Sequence, residues 1–415
     1  MNVTLYPSLL RGAVVPPPSK SHVHRLLLAS VLCEKGQTAI FCPGENEDIR
    51  ATLRCLQAFH ARIHPDESGK WLLAEGGLRP SGEILLDCGE SGSTLRFLLT
   101  LCGALADNCT VIVKGSGRLP QRPNGPLLDA MRKNGARIQI DPAAEKKGDQ
   151  LPLILSGGMQ PGEYALPGNI SSQYFTGLLF ALPLLPGESM LRFTSPLESM
   201  PYVDFTLSVL RQFGVGAEKM KDGWRIPGNQ KYCSPGKAIA EGDWSAAAFW
   251  EAANFLGSSI SIEGMNGASV QGDKRYGQLL AQVGGEIDVT DTPDLMPPLA
   301  IAAAATPSET RITGAARLRL KESDRLLAMA QMIRALGGQA SETEDGLIIR
   351  GGNLKGGVID GMNDHRVIMS AAIAATVCRE SVTIRGAEAV KKSYPQCFED
   401  FARLGGKMDV WEQHG

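Results

Sequence analysis

Aromatic side chains are scarce in this chain of 415 residues, at 6 per cent, and neither sign of charge dominates: 42 Lys and Arg stand against 44 Asp and Glu, a net charge of −2. A protein that grips nucleic acid through basic stripes and stacking aromatics has the opposite composition, so that class is disfavoured. Long hydrophobic runs are missing too. The most apolar windows, 174–185 and 295–305, are too short to span a bilayer and are broken by Gly177 and Pro183 or by Pro297 and Pro298. The nine cysteines, at 33, 42, 55, 88, 102, 109, 233, 378 and 397, show no C-x-x-C or Cys/His spacing, which excludes a disulfide scaffold and a zinc module. Free thiols in a reducing cytoplasm fit them best. His22, His24, His60, His64 and His414 do not make a metal set. The opening MNVTLYPSLLRGAVVPPPS has neither a charged stretch leading into a long apolar one nor an Arg/Ser-rich amphipathic pattern, so no export is expected. With 43 per cent apolar and 21 per cent charged residues, the composition is that of a soluble globular protein, and the length asks for two domains or more.

What the chain does have is an internal repeat. Six short β-like runs recur, TAIFCPG (38–44), TVIVKGS (110–116), SMLRFTS (189–195), SISIEGM (259–265), ETRITGA (309–315) and SVTIRGA (381–387). Each follows a polar cluster and a small-residue apolar helix. Each precedes a second, amphipathic helix and another short strand. Gly135, Gly214, Gly284, Gly337 and Gly405 stand at the ends of five of these second helices, where glycine can take the left-handed conformation that stops a helix. The first copy has His60 and Ala61 there instead. Candidate N-caps fall near Ser21, Ser91, Ser171, Asp243, Asp294 and Asp364. The pattern is a βαβαββ unit used six times. Six units divide into two domains of three: residues 1–18 with 238–415 carry units four to six, and 19–237 carry units one to three. The chain crosses near 16–20 and again near 234–240, where Pro16–Pro17–Pro18 and Ser234–Pro235–Gly236 read as linkers. The cleft between such domains is the default ligand site.

The polar clusters at the first helices read SKSHVHR (19–25), CGESGSTLR (88–96), NISSQY (169–174), EGDWSAA (241–247), TPDLMPP (292–298) and NDHR (363–366). Ser, Thr and Asp at a helix start are ordinary caps, whereas Lys and Arg there oppose the helix dipole. Lys20, Arg25, Arg96 and Arg366 all stand in this disfavoured place, which calls for a bound phosphate or carboxylate. Arg122, Lys321, Arg325 and Lys392, in the loops before the second helices, add cations at equivalent unit positions. Singly, each is an ordinary surface residue; the recurrence is the signal. Two acids stand out among them. Asp294 reads either as a plain N-cap or as a general base, and Glu322 either as a partner of the following helix dipole or as an acid–base group.

At these residues the sequence resembles the 5-enolpyruvylshikimate-3-phosphate synthase family over nearly its whole length, through SKSxxxR, GxxGxxxR, RPxG, SSQ, PYxD, KESDR, DHR and a C-terminal KxxP. The resemblance implies a two-domain inside-out α/β barrel, each domain built from three βαβαββ units. It implies transfer of the enolpyruvyl group of phosphoenolpyruvate to the 5-hydroxyl of shikimate 3-phosphate through a tetrahedral intermediate, with release of phosphate. Carried over by motif, Lys20, Ser21, Arg25, Ser171, Ser172, Gln173, Ser199, Tyr202, Asp294 and Lys321 fall to shikimate 3-phosphate. Lys20, Gly92, Arg122, Gln173, Arg325, Arg366 and Lys392 fall to phosphoenolpyruvate. Asp294, Glu322, Lys20 and Lys321 carry the catalytic roles, Asp294 orienting or deprotonating the attacking hydroxyl and Glu322 with a lysine moving protons at the enolpyruvyl carbons; Glu90, Arg96, Arg317 and His365 are supporting. The resemblance implies two small-molecule substrates and a reaction without metal; no cofactor, no nucleic acid and no membrane are expected, and the protein is expected to be a cytoplasmic monomer.

Some positions depart from the family pattern. Glu90, Arg317 and His24 stand where Asn is commoner, Met200 where Lys often follows the serine, and Trp244 where the residue is usually small. None removes a core charge. The nearest rival is the enolpyruvyl transferase acting on UDP-N-acetylglucosamine, which generally uses a loop cysteine in the stretch matching 119–125, where this chain has none. An inactive family member kept for interactions is the other, and the full set of charged residues counts against it.

Overall fold

The computed structural model describes residues 1–146 and 150–412; His414 lies outside them. Its secondary structure repeats a single sheet. The plainest copy runs through strand Gly82–Asp87, helix Gly92–Leu105, strand Cys109–Lys114, helix Gly125–Lys133 and strands Ile138–Ile140 and Leu153–Leu155. A helix joins the first two strands, so they run parallel, with Ile84 opposite Val111; the last two pair antiparallel, and Leu155 returns opposite Val111. The same order and sense recur in Glu163–Leu166, Ser189–Phe193, Gly223–Ile226 and Glu218–Met220, and in Glu286–Asp288, Glu309–Thr313, Leu347–Arg350 and Gln339–Glu342.

Two copies are completed by distant chain. Lys237–Ile239 supplies the parallel edge strand beside Gln37–Phe41, and Asn2–Tyr6 lies between Val382–Arg385 and Lys407–Trp411. The remaining copy departs from the expected βαβαββ pattern. It keeps only Arg11–Val14 parallel to Ser259–Ile262. After helix Tyr276–Leu280 and the turn at Gly284 the chain passes straight into Glu286–Asp288 of the next sheet, leaving no residues for a closing hairpin.

All six β-like runs are strands, and the helix stops obey one geometry. Gly135, Gly214, Gly284, Gly337 and Gly405 hold φ between 76° and 96°, and His60 adopts the same left-handed turn at φ 72° without being glycine. The chain divides into two compact units, Met1–Pro17 with Glu241–Gly415, and Pro18–Ala240. Each encloses its own apolar core.

The first helix of each copy is apolar on all sides and buried nearly end to end, as in Gly92–Leu105, Ser172–Ala181, Met296–Ala304 and His365–Ala375. Such helices are core elements, so their polar groups gather in the first turn. Ser91, Ser171, Asp243 and Asp364 cap their helices through the side chain, accepting from the backbone N–H of Thr94, Gln173, Ser245 and Arg366. Two expected caps are corrected. Ser19, not Ser21, precedes helix Lys20–Leu32. Asp294 lies in the short turn Pro293–Leu295, and Leu295 precedes the helix, because Asp294 is drawn away by cations.

Candidate active site

In the Pro18–Ala240 unit the candidate residues gather at the starts of its three buried helices. Arg25 is 3 per cent exposed. Its guanidinium donates to Thr206 Oγ1 at 2.9 Å, Thr176 Oγ1 at 3.3 Å and the carbonyls of Ser21 and Tyr202 at 2.6 and 3.0 Å. The rings of Phe97 and Phe205 lie about it at 5.6 and 5.5 Å. All these partners are neutral, and burial pulls its pKa down to about 10. A cation in such company is stabilised by any anion that reaches it.

Arg96 donates to Gln173 Oε1 at 2.7 Å, Asn124 Oδ1 at 3.1 Å and Pro123 O at 3.1 Å, and Gln173 in turn donates to Ser93 Oγ at 3.0 Å. Gly92 is where Arg96 and Arg122 converge. A Cβ there would fall 2.7 Å from Arg96 Nη1 and 2.8 Å from Arg122 Nη1, so a side chain at this position would push the two guanidiniums away from the helix start. Arg122 is buried and, among the described residues, its Nε has no hydrogen-bond partner. Lys20 pairs with Asp48 at 2.9 Å. Ser199, buried ahead of helix Met200–Gln212, is held at φ 56°, a conformation costing a non-glycine residue about 1–2 kcal/mol. Ser172 opens its helix next to Gln173, and Glu90 lies against Gly117, where a Cβ would meet its Oε2 at 2.7 Å.

The other unit, Met1–Pro17 with Glu241–Gly415, holds a cluster of mixed sign. Arg325, 1 per cent exposed, donates to Asp364 from Nε and Nη2 at 2.9 and 3.2 Å, to Glu322 Oε2 at 2.7 Å and to Asp294 Oδ1 at 3.2 Å. Three carboxylates therefore share one guanidinium, and its pKa is raised because they outweigh the cost of burial. Arg366 reaches Asp294 Oδ2 at 3.0 Å and the Asp294 carbonyl at 3.1 Å, and donates to Ser245 Oγ, itself held by Asp243. Lys321 Nζ lies 4.0 Å from Asp294 Oδ1. Burial pushes the Asp294 carboxyl up, and Glu322 adds to that, yet Arg366, Lys321 and Arg325 together hold it far below the usual carboxylate range. Asp294 is thus ionised and weakly basic as it stands. Lys392 donates to the Asn363 carbonyl at 2.8 Å, just before the Asp364 cap. Met362 and Asn363 both hold φ 52° in the turn that delivers Asp364, His365 and Arg366. Arg317 donates to Thr290 O at 2.7 Å, and His365 is buried.

Several partners were not legible as site residues. Asp48 lies 28 positions from Lys20, and Asn124 28 from Arg96. Asp364 reads in the sequence as a cap, and does cap, but also carries two of Arg325's bonds. The only local sign was an acid or amide within an already charged cluster.

The family model for EPSP synthase (3-phosphoshikimate 1-carboxyvinyltransferase) matches residues 6–292 and 280–401. The chain is 39 per cent identical to the 3-phosphoshikimate 1-carboxyvinyltransferase of Clostridium acetobutylicum, over 99 per cent of this chain and 98 per cent of the relative. It is 38 per cent identical to that of Halobacterium salinarum, over 99 and 100 per cent. Among solved structures, EPSP synthase from Acinetobacter baumannii superposes with a TM-score of 0.81 at 27 per cent identity, covering 99 per cent of this chain and 100 per cent of that one. The enolpyruvyl transferase NikO from Streptomyces tendae shares the fold, with a TM-score of 0.75 at 17 per cent identity and 98 per cent of each chain covered. With its six-copy fold, its two charged clusters and these matches over nearly all its length, the chain belongs to the EPSP synthase family.

Proposed function

We propose that this protein is a 3-phosphoshikimate 1-carboxyvinyltransferase whose two charged clusters divide the work. Arg25, Ser21, Ser171, Ser172, Gln173, Ser199 and Tyr202 hold shikimate 3-phosphate; Gly92, Arg122, Gln173, Arg325, Arg366 and Lys392 hold phosphoenolpyruvate. Lys20 and Lys321 serve both substrates. The observation that carries the reading is the contrast between the clusters. In one, buried Arg25 and Arg122 meet no carboxylate among the described residues, as anion receptors should. In the other, Asp294, Glu322 and Asp364 are interleaved with Lys321, Arg325 and Arg366, as proton transfer beside an anion requires.

The reaction then runs as addition and elimination. The 5-hydroxyl oxygen of shikimate 3-phosphate bonds to C2 of phosphoenolpyruvate, its proton leaves, and a proton reaches C3, making a methyl group and a tetrahedral centre. The C2–O bond to phosphate breaks, C3 gives up a proton, and the enolpyruvyl ether and inorganic phosphate remain. Asp294 orients the hydroxyl and accepts its proton. Its basicity rises when substrate anions draw off Arg325, Arg366 and Lys321, so the base is activated by substrate binding. Glu322, 2.7 Å from Arg325, exchanges protons at C3 together with Lys20 or Lys321. The division of the chain at Pro17 and at Ala240 supports two domains of three units with crossings near 16–20 and 234–240. The enzyme works in the cytoplasm as a monomer.

Protonation and deprotonation of C3 give a direct test. Turnover in D2O should place deuterium on the vinyl carbon of the product, read by mass spectrometry. Product free of deuterium would rule out the methyl-bearing intermediate.

A further inference from the structure

A second feature of the Pro18–Ala240 unit is a buried chain of side-chain hydrogen bonds that touches none of the charged groups. His24 Nδ1 lies 2.7 Å from Thr52 Oγ1, Thr52 Oγ1 lies 2.6 Å from Thr94 Oγ1, and Thr94 Oγ1 donates to Ser91 Oγ at 2.8 Å. The four residues come from helices Lys20–Leu32, Glu47–Ala58 and Gly92–Leu105 and the cap of the last, and none is more than 1 per cent exposed. A hydroxyl has one proton to give. The Thr94 hydroxyl gives its proton to Ser91, so that of Thr52 goes to Thr94 and His24 must donate to Thr52 from Nδ1–H. Nε2 has no partner. The ring is neutral: burial, with Lys20 and Arg25 nearby, lowers its pKa to about 3. The chain therefore keeps one direction at every physiological pH.

Its far end is the cap of helix Gly92–Leu105. Ser91 Oγ also accepts from Thr94 N at 3.3 Å, and the next residue is Gly92, with less than 3 Å between the place of its missing Cβ and two guanidiniums. So little clearance makes the placing of this turn critical to any anion held there.

We propose that His24 is a positioning residue for the phosphoenolpyruvate site, acting through Thr52 and Thr94 to orient Ser91 and so seat the Gly92 turn against Arg96 and Arg122. The proposal rests on the assignment of Gly92 and Arg122 to phosphoenolpyruvate made above. Asparagine carries a donor at the same branch point as Nδ1, whereas leucine fills the space and ends the chain. Thr52→Val keeps the shape of the side chain and removes only the hydroxyl.

Steady-state kinetics with each substrate varied in turn tests this. His24→Leu and Thr52→Val should each raise the KM for phosphoenolpyruvate about tenfold, the scale of a small misplacement in a site, while the KM for shikimate 3-phosphate stays put. His24→Asn should restore the wild-type value, and the Leu/Val double variant should be no worse than either single one. Thr52→Val alone decides the matter should His24→Leu fail to fold. A lower melting temperature with both KM values unmoved, or equal rises in both, would overturn the proposal and leave the assignment of the reaction standing. A folded wild-type protein that turns over neither substrate would remove that assignment and the proposal with it.

Discussion

Asp294 lies within 3.2 Å of two guanidiniums and 4.0 Å of an ammonium, and this company decides both its charge and its use. Its folded pKa is depressed, so the stability it contributes is fully present above the ordinary aspartate range and is lost only as pH falls through that range toward the folded value. Asp294→Asn should lower kcat by about 10²–10⁴-fold, the usual worth of a positioned acid–base group. The KM for phosphoenolpyruvate should not rise, because the change takes a carboxylate away from Arg366 and Arg325 and leaves both guanidiniums in place; steady-state kinetics separates the two effects. His24 gives the complementary acid limb. Its folded pKa is about 3 against an ordinary 6.5, so between those values the unfolded chain binds a proton that the folded one refuses, and stability falls as pH drops from 6.5. The slope is about 1.4 kcal/mol per pH unit. Denaturant unfolding across pH 3–6.5 should show His24→Asn flatter than wild type by that amount. The charged residues were legible because they recur at one place in successive units. Asp48, Thr52 and Asn124 were not, since each meets its partner across about 30 residues of chain and stands in no repeating pattern.

At the scale of the helix, the repeated stop is the clearest element read from sequence alone, and the structure extends it to the copy that lacked glycine. His60 holds φ 72°, so His60→Gly should stabilise the protein, by about 0.5–1 kcal/mol once the freedom gained by the unfolded chain is set against the strain removed. Glycines at the same kind of stop are not equivalent. A Cβ on Gly214 meets nothing closer than 3.7 Å, whereas one on Gly135 would lie 2.6 Å from Gly158 O. Gly214→Ala should therefore cost only about 0.5–1 kcal/mol, the left-handed strain less the freedom the unfolded chain loses, and Gly135→Ala clearly more, by thermal or denaturant unfolding of the two variants side by side. Helix starts were read less well. Ser21 and Asp294 read as caps because serine and aspartate usually are, but the first lies inside the first turn, two residues past Ser19, and the second is claimed by cations. The shortened fourth copy escaped notice for another reason: its helices and strand match the pattern, and only the hairpin is missing.

On the scale of the molecule, strand exchange with distant chain sets where the protein can be cut. Lys237–Ile239 completes the sheet of Gln37–Phe41, so a fragment of residues 18–240 retains every strand of its sheets and its whole apolar core. It should fold alone with a cooperative melt by circular dichroism, and a fragment ending at 233 should be markedly less stable. Asn2–Tyr6 occupies an interior position in the sheet of Val382–Arg385 and Lys407–Trp411, so loss of the first six residues should cost the full-length protein its activity. The most direct measurement mixes the purified protein with phosphoenolpyruvate and shikimate 3-phosphate, and in parallel with phosphoenolpyruvate and UDP-N-acetylglucosamine, reading phosphate release and product mass. Phosphate and an enolpyruvyl ether are expected with shikimate 3-phosphate alone, both lost in Glu322→Gln; turnover with the UDP-sugar instead, or with neither acceptor, would contradict the assigned activity.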